Sequence, residues 1–146
     1  MSDIVVVVDR TLGVSSDAAF AAVADYVKTR PAILPPEITD FEVLDGGIGA
    51  GTRFTYRLHA TKKRIRQVEA TVTEPQPGRQ LLETDANSSL KVTWSVAPAG
   101  GGSTVTVQVS WQGAGGIGGF FERRFAPAGI ARIYGAELTH LATELG

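Results

Sequence analysis

The chain has 146 residues, a net charge of −1 at pH 7 and no cysteine. That is enough sequence for one domain, residues 1–146, to bury a core without staples, and it excludes disulfides and thiolate metal sites. The near-neutral balance leaves no electrostatic footprint for nucleic acid or an anionic membrane, so neither is expected as a partner.

Ile4–Leu12 reads as the first strand. Its apolar run, Ile4–Val8, is too short to cross a bilayer and lies between Asp3 and Asp9. No integral membrane segment and no export signal are therefore expected, which makes the cytoplasm the default compartment. Ser15 or Ser16 can cap a helix whose Phe20, Val23 and Val27 form an apolar stripe. Arg30–Pro31 ends that helix, and Pro31, Pro35 and Pro36 leave room only for a short helical or irregular segment over Ala32–Leu34.

Glu37–Leu44 and Thr52–Thr61 are the next strands, linked by Asp45-Gly46-Gly47-Ile48-Gly49-Ala50-Gly51. So many glycines imply positive φ angles or close backbone approach. Arg64–Glu74 and Arg79–Ala86 follow, separated by Pro75-Gln76-Pro77-Gly78. The basic cluster Lys62–Arg66 reads as the solvated tip of a hairpin. In Ser88–Ala97, Leu90, Val92, Trp94 and Val96 alternate with polar residues, and in Ser103–Gln112 so do Val105, Val107, Val109 and Trp111. Both are half-buried antiparallel strands, joined as a hairpin through Ala99–Gly102.

Past the glycine-rich Gly113–Gly119, the residues Phe121, Phe125, Ile130, Ile133, Tyr134, Leu138, Leu141 and Leu145 recur at helical spacing. A continuous helix over Ile117–Leu145 would be roughly 40 Å long against roughly 26 Å for an eight-residue strand, so it must cross the sheet obliquely. Pro127, with Gly129 behind it, kinks or interrupts the first third. One strand, two helical pieces, six strands in a meander and a covering helix make an α+β architecture.

Several segments carry a resemblance in that order. They are the Ser15–Phe20 helix start, Gly49-Ala50-Gly51-Thr52 opening the third strand, Thr73-Glu74-Pro75-Gln76-Pro77-Gly78-Arg79 between the fourth and fifth, and the Leu138–Leu145 ending. Together they resemble the polyketide cyclase/dehydrase-like (SRPBCC) branch of the START superfamily over essentially the whole chain. The resemblance implies the helix-grip fold, a curved seven-stranded antiparallel sheet around a long C-terminal helix, with two short helices between strands one and two and an apolar cavity inside. Members bind lipids, sterols, polyketides or other hydrophobic small molecules. Some are aromatase/cyclases, some carriers, others quinone binders or co-chaperones, and no catalytic signature transfers residue by residue.

Strand parity supplies pocket candidates independently. Phe54, Tyr56 and Leu58 share one face of their strand, leaving Arg53, Thr55, Arg57 and His59 on the other. Arg66 shares a face with Val68, Ala70 and Val72 unless a bulge resets the alternation or the residue lies at the sheet rim. Turned inward, it could bind a carboxylate or an enolate oxygen. Tyr56 and Tyr134 are the best inward hydroxyls, able to donate to a ligand carbonyl or to be satisfied by backbone or water. Trp94 and Trp111 could stack on a planar ligand or simply fill the core. The expected ligand-lining set is Phe54, Tyr56, Leu58, Arg66, Val68, Trp94, Val107, Trp111, Phe121, Phe125, Ile130 and Tyr134; of these Tyr56, Arg66 and Tyr134 are the weak catalytic candidates.

His59 and His140 have no second histidine or carboxylate at metal-ligand spacing, so no metal is expected. His59 falls on the convex face and His140 on the exposed side of the last helix. Asp25 and Glu69 read as surface charge, with Glu69 turned outward. No serine sits in a nucleophile elbow and no lysine in an apolar run, which removes covalent catalysis. Gly113-Ala114-Gly115-Gly116-Ile117-Gly118 fits a dinucleotide loop, but the residues after it are consumed by the helix. With no return strand to complete a βαβ unit, no nucleotide cofactor is expected. The expected function is binding of a lipid, polyketide or isoprenoid between sheet and helix. The alternatives are a cyclase/dehydrase-type enzyme using the same cavity and a co-chaperone-like interaction module, with the oligomeric state left open.

Overall fold

Alternation of apolar and polar residues builds a sheet here, and the closing helix covers its concave face. The structure, a computed structural model, describes residues 3–59, 65–112 and 127–146. The elements are β1 (Asp3–Leu12), α1 (Ser16–Val23), α2 (Thr29–Ala32), β2 (Ile38–Asp45), β3 (Arg53–His59), β4 (Ile65–Gln76), β5 (Gln80–Asp85), β6 (Lys91–Ala99), β7 (Gly102–Gln112) and α3 (Pro127–Leu145). Among the described residues the strands form one curved antiparallel sheet in the order β1-β7-β6-β5-β4-β3-β2, so β5 is central. This is the helix-grip arrangement.

Parity decides what is buried. In β6 and β7 the pairs Val92↔Val109, Trp94↔Val107 and Val96↔Val105 all face the core. In β3 and β4, Phe54, Tyr56 and Leu58 are buried with Val68, Ala70 and Val72, and the β3–β4 register runs unbroken. The opposite face of β3 is polar. There Arg53 pairs with Glu69 at 3.3 Å, and the Thr39 hydroxyl meets His59 Nε2 at 2.7 Å, so His59 and Glu69 lie on the outer face as their parity predicts. α3 buries Ile130, Ile133, Tyr134, Glu137, Leu138 and Leu141, a stripe at three- and four-residue spacing.

The helical insert departs from its sequence reading. α1, capped by the Ser15 hydroxyl accepting from Ala18 N at 3.1 Å, ends at Val23. Val27 therefore falls off its stripe and is 59% exposed, while Tyr26 turns into the core. The second piece is Thr29–Ala32 rather than Ala32–Leu34, with Pro31 inside it. A proline is tolerated there because the first-turn amides of a helix have no intrahelical acceptor to lose. His140 is half-buried rather than exposed, because its Nδ1 lies 2.9 Å from the Ile33 carbonyl and ties α3 to the end of the insert. α3 begins at Pro127 among the described residues, and the expected first third of the helix, with Phe121, Phe125 and the Gly113–Gly118 motif, lies outside them.

The two loops that carried the resemblance meet in space. Glu74 accepts from Ala50 N at 2.9 Å with one carboxylate oxygen and from Gly78 N at 3.1 Å with the other. Gly49 has φ +61°, which favours glycine, and a Cβ on it would stand 2.5 Å from that carboxylate and push it off its amide partners. The same loop then grips the insert, with Tyr26 N donating to Gly47 O and Gly49 N to Ala24 O, each at 2.9 Å.

Candidate functional site

That grip delivers Tyr26 and Arg30 to the centre of the sheet. Arg30 is 4% exposed and makes a 2.8 Å ion pair with Glu83 of β5, also 4% exposed. Its guanidinium donates to Val23 O at 3.0 Å and is stacked between the Tyr26 ring, 4.6 Å away, and the Trp94 ring, 4.2 Å away. The Tyr26 hydroxyl donates to the same Glu83 oxygen at 2.6 Å. Burial opposes the Arg30 charge, yet the attraction of Glu83 outweighs it and holds the guanidinium firmly protonated.

Beside this pair is a recess lined by Arg30, Leu34, Ile38, Phe41, Phe54, Tyr56, Glu83, Tyr134 and Glu137. Its volume is about 10 Å³, room for about one water molecule. One wall is apolar. Phe41 and Phe54 pack at a ring separation of 5.2 Å, and Phe54 follows Tyr56 at 5.9 Å. The other wall is polar and carries the buried Tyr56 and Tyr134 phenols. Burial raises both phenols well above the ordinary tyrosine range, so they remain donors throughout the accessible pH range.

Glu137 completes the polar wall. It is 2% exposed, and its Oε1 is buried with no hydrogen-bond partner among the described residues. Burial pushes its carboxyl up to about 8; Arg30 acts against that rise and Glu83 with it. At pH 7 the site therefore holds a neutral carboxylic acid, two phenols and a compensated ion pair. Such a set can hydrogen-bond an oxygen-bearing ligand and can donate a proton to it.

Of the residues expected to line a ligand, Phe54, Tyr56 and Tyr134 border this recess. Leu58, Val68, Trp94, Val107, Trp111 and Ile130 are buried in the surrounding core and do not line it. Arg66 keeps its inward parity opposite Leu58 but is half-buried at the start of β4, away from the recess. Phe121 and Phe125 lie outside the described residues. Sequence reasoning missed Tyr26, Arg30, Leu34, Ile38, Phe41, Glu83 and Glu137.

One of the missed residues carried a usable signal. Glu137 is one helical turn from both Ile133 and Leu141, on the apolar stripe. Ile38 and Phe41 did not, because β2 shifts register between Thr39 and Glu42 with Asp40 at φ +56°, which brings residues three apart to one face. Among the described residues no group of three metal-ligating side chains occurs, and no helix is long and apolar enough to cross a membrane.

The family described as polyketide cyclase/dehydrase and lipid transport matches residues 3–146, and the chain belongs to it. Among solved structures it is similar to the KanY protein determined by NMR, at 44% identity and a TM-score of 0.88, over 99% of this chain and 98% of that one. It shares its fold with the Zhui aromatase/cyclase from Streptomyces sp. R1128, at 16% identity and a TM-score of 0.74 over 98% and 93% of the two chains. It also shares it with the major latex-like protein 151 of Panax ginseng, at 9% identity and a TM-score of 0.74 over 97% of each. No curated protein matches the chain.

Proposed function

We propose that the chain binds a mainly apolar small molecule, a lipid, polyketide or isoprenoid, between the concave face of the sheet and α3. The observation that carries this reading is Glu137 Oε1, a buried polar atom without a partner among the described residues, in the wall of a recess whose other wall is aromatic. Leaving such an atom unmade is expensive, and a ligand or an ordered water is what would satisfy it. The aromatic wall would supply the apolar burial that drives association, about 25 cal/mol per Å². Because the recess itself holds about one water, a ligand's body must displace side chains around Leu34 and Phe41 or lift α3.

A second reading, a cyclase/dehydrase-type enzyme in the same cavity, is favoured by the neutral acid standing with two buried phenols. These are groups able to protonate a carbonyl or steady an enol as a ring closes and water leaves. Native mass spectrometry of protein from its own host, with extraction of whatever is bound, tests both. A stoichiometric apolar ligand recovered unchanged after incubation supports carriage, and its conversion supports catalysis. Absence of any ligand, together with no uptake of fluorescent fatty-acid or aromatic probes, would overturn both and favour an interaction module.

A further inference from the structure

We infer that the polar end of this cavity selects a ligand presenting one uncharged oxygen, a ketone, enol or phenol, over one presenting a carboxylate or an ammonium group, and that Glu137 is the side chain meeting that oxygen. The inference rests on the binding reading above and adds the chemistry of the head group.

Size comes first. A recess of about 10 Å³ admits about one oxygen-sized group beside Glu137 and the Arg30–Glu83 pair. Charge comes second. Among the described residues Arg30 is the one cation lining the recess, and although its Nε has no hydrogen-bond partner there, its charge is compensated by Glu83 at 2.8 Å. A ligand carboxylate would thus bring a second anion into a desolvated site that already holds Glu83 and Glu137. An ammonium group would need Glu137 ionised against burial and against Glu83, and would stand beside the Arg30 guanidinium. A neutral oxygen meets neither penalty. It can accept from the carboxylic acid of Glu137, and a ligand hydroxyl can also donate to that group's free lone pairs.

The titratable and charged groups that line the recess with Glu137 are Arg30 of α2, Glu83 of β5, Tyr56 of β3 and Tyr134 of α3 itself. Arg30 stays charged and the phenols stay neutral up to high pH, so Glu137 is the group that titrates near neutrality.

The test is equilibrium dialysis of the full chain against five naphthalenes sharing one body: 2-acetylnaphthalene, 2-naphthol, 2-ethylnaphthalene, naphthalene-2-carboxylate and 2-(aminomethyl)naphthalene. At pH 6.5 the ketone and the phenol should bind about tenfold tighter than the hydrocarbon, and the two charged probes weakest. Ketone affinity should fall about tenfold for each pH unit above about 8. Glu137→Gln, which keeps a donor but cannot ionise, should flatten that profile. Equal binding of ketone, hydrocarbon and carboxylate, or preferential binding of the amine, would overturn the inference and leave the binding reading standing. So would a pH profile unchanged in Glu137→Gln. Failure of all five probes would overturn the inference, and together with the absence of any ligand in the native mass spectrum and no uptake of fatty-acid probes it would overturn the binding reading too.

Discussion

A carboxyl group held neutral by burial should make the protein less stable as the pH rises, and Glu137→Gln should remove that dependence. Burial raises the Glu137 carboxyl from 4.5 to about 8. Between those values the folded state keeps a proton that the unfolded state has released. Its contribution is fully present below pH 4.5, declines through the interval, and levels off above pH 8. Over the whole interval the loss is on the order of 5 kcal/mol, and by pH 7 about 3 kcal/mol of it has occurred. The amide of the variant has nothing to deprotonate, so the variant should match the wild type near pH 4.5 and exceed it by about 3 kcal/mol at pH 7. Urea unfolding followed by tryptophan fluorescence at half-unit steps from about pH 5 to 9 measures the difference, since Trp94 and Trp111 are both buried in the folded core. Parallel curves for the two proteins over this range would refute the reasoning. They would mean that the carboxyl is solvated or paired in the folded state.

Glu83→Gln strands the Arg30 charge in the core and should cost about 3–5 kcal/mol in urea unfolding, whereas Arg30→Met combined with Glu83→Leu should recover most of that loss. Tyr26→Phe removes one donor to the same carboxylate and should cost about 1.5–3 kcal/mol by the same assay; a change within error would mean that water replaces the hydroxyl. Gly49→Ala puts a Cβ against Glu74 at a positive φ and should cost about 1–2 kcal/mol, visible as a lower thermal midpoint. Ser15→Ala takes the cap from α1 and should cost about 1 kcal/mol in the urea midpoint; no loss would show that the α1 start is held by packing alone.

The sheet was legible because alternation is a local property. The sequences of β3, β4, β6 and β7 show it, and the unbroken β3–β4 and β6–β7 registers preserve it in the fold. The site was legible only where it obeys the same rule, at Phe54, Tyr56 and Tyr134. Arg30 was hidden by its own neighbour, since Arg–Pro reads as a helix break, whereas the chain has already left α1 at Val23 and Arg30 and Pro31 lie together inside α2. Glu83 follows the adjacent pair Leu81–Leu82, which leaves the parity of β5 undecided until its register with β6, Glu83↔Val92, is known. Phe41 depends on a bulge that no periodicity anticipates. Buried charge is thus the part of this site that sequence pattern treats as surface by default.

The loops that carried the family resemblance touch no part of the recess, yet its geometry depends on them. Glu74 pins the glycine loop, the loop holds the chain between α1 and α2 through Gly47 O and Gly49 N, and that chain delivers Tyr26 and Arg30 to Glu83. Each link is a hydrogen bond or ion pair between segments that are distant in sequence, so the insert is fixed by the sheet and not by its own short helices. A four-residue α2 has no intrinsic stability to place a guanidinium between two aromatic rings. The glycine motif and the polar wall are therefore one mechanical unit. Loosening the motif should relax the Arg30–Glu83 pair first and, through the charge balance around Glu137, the binding proposed at that group second.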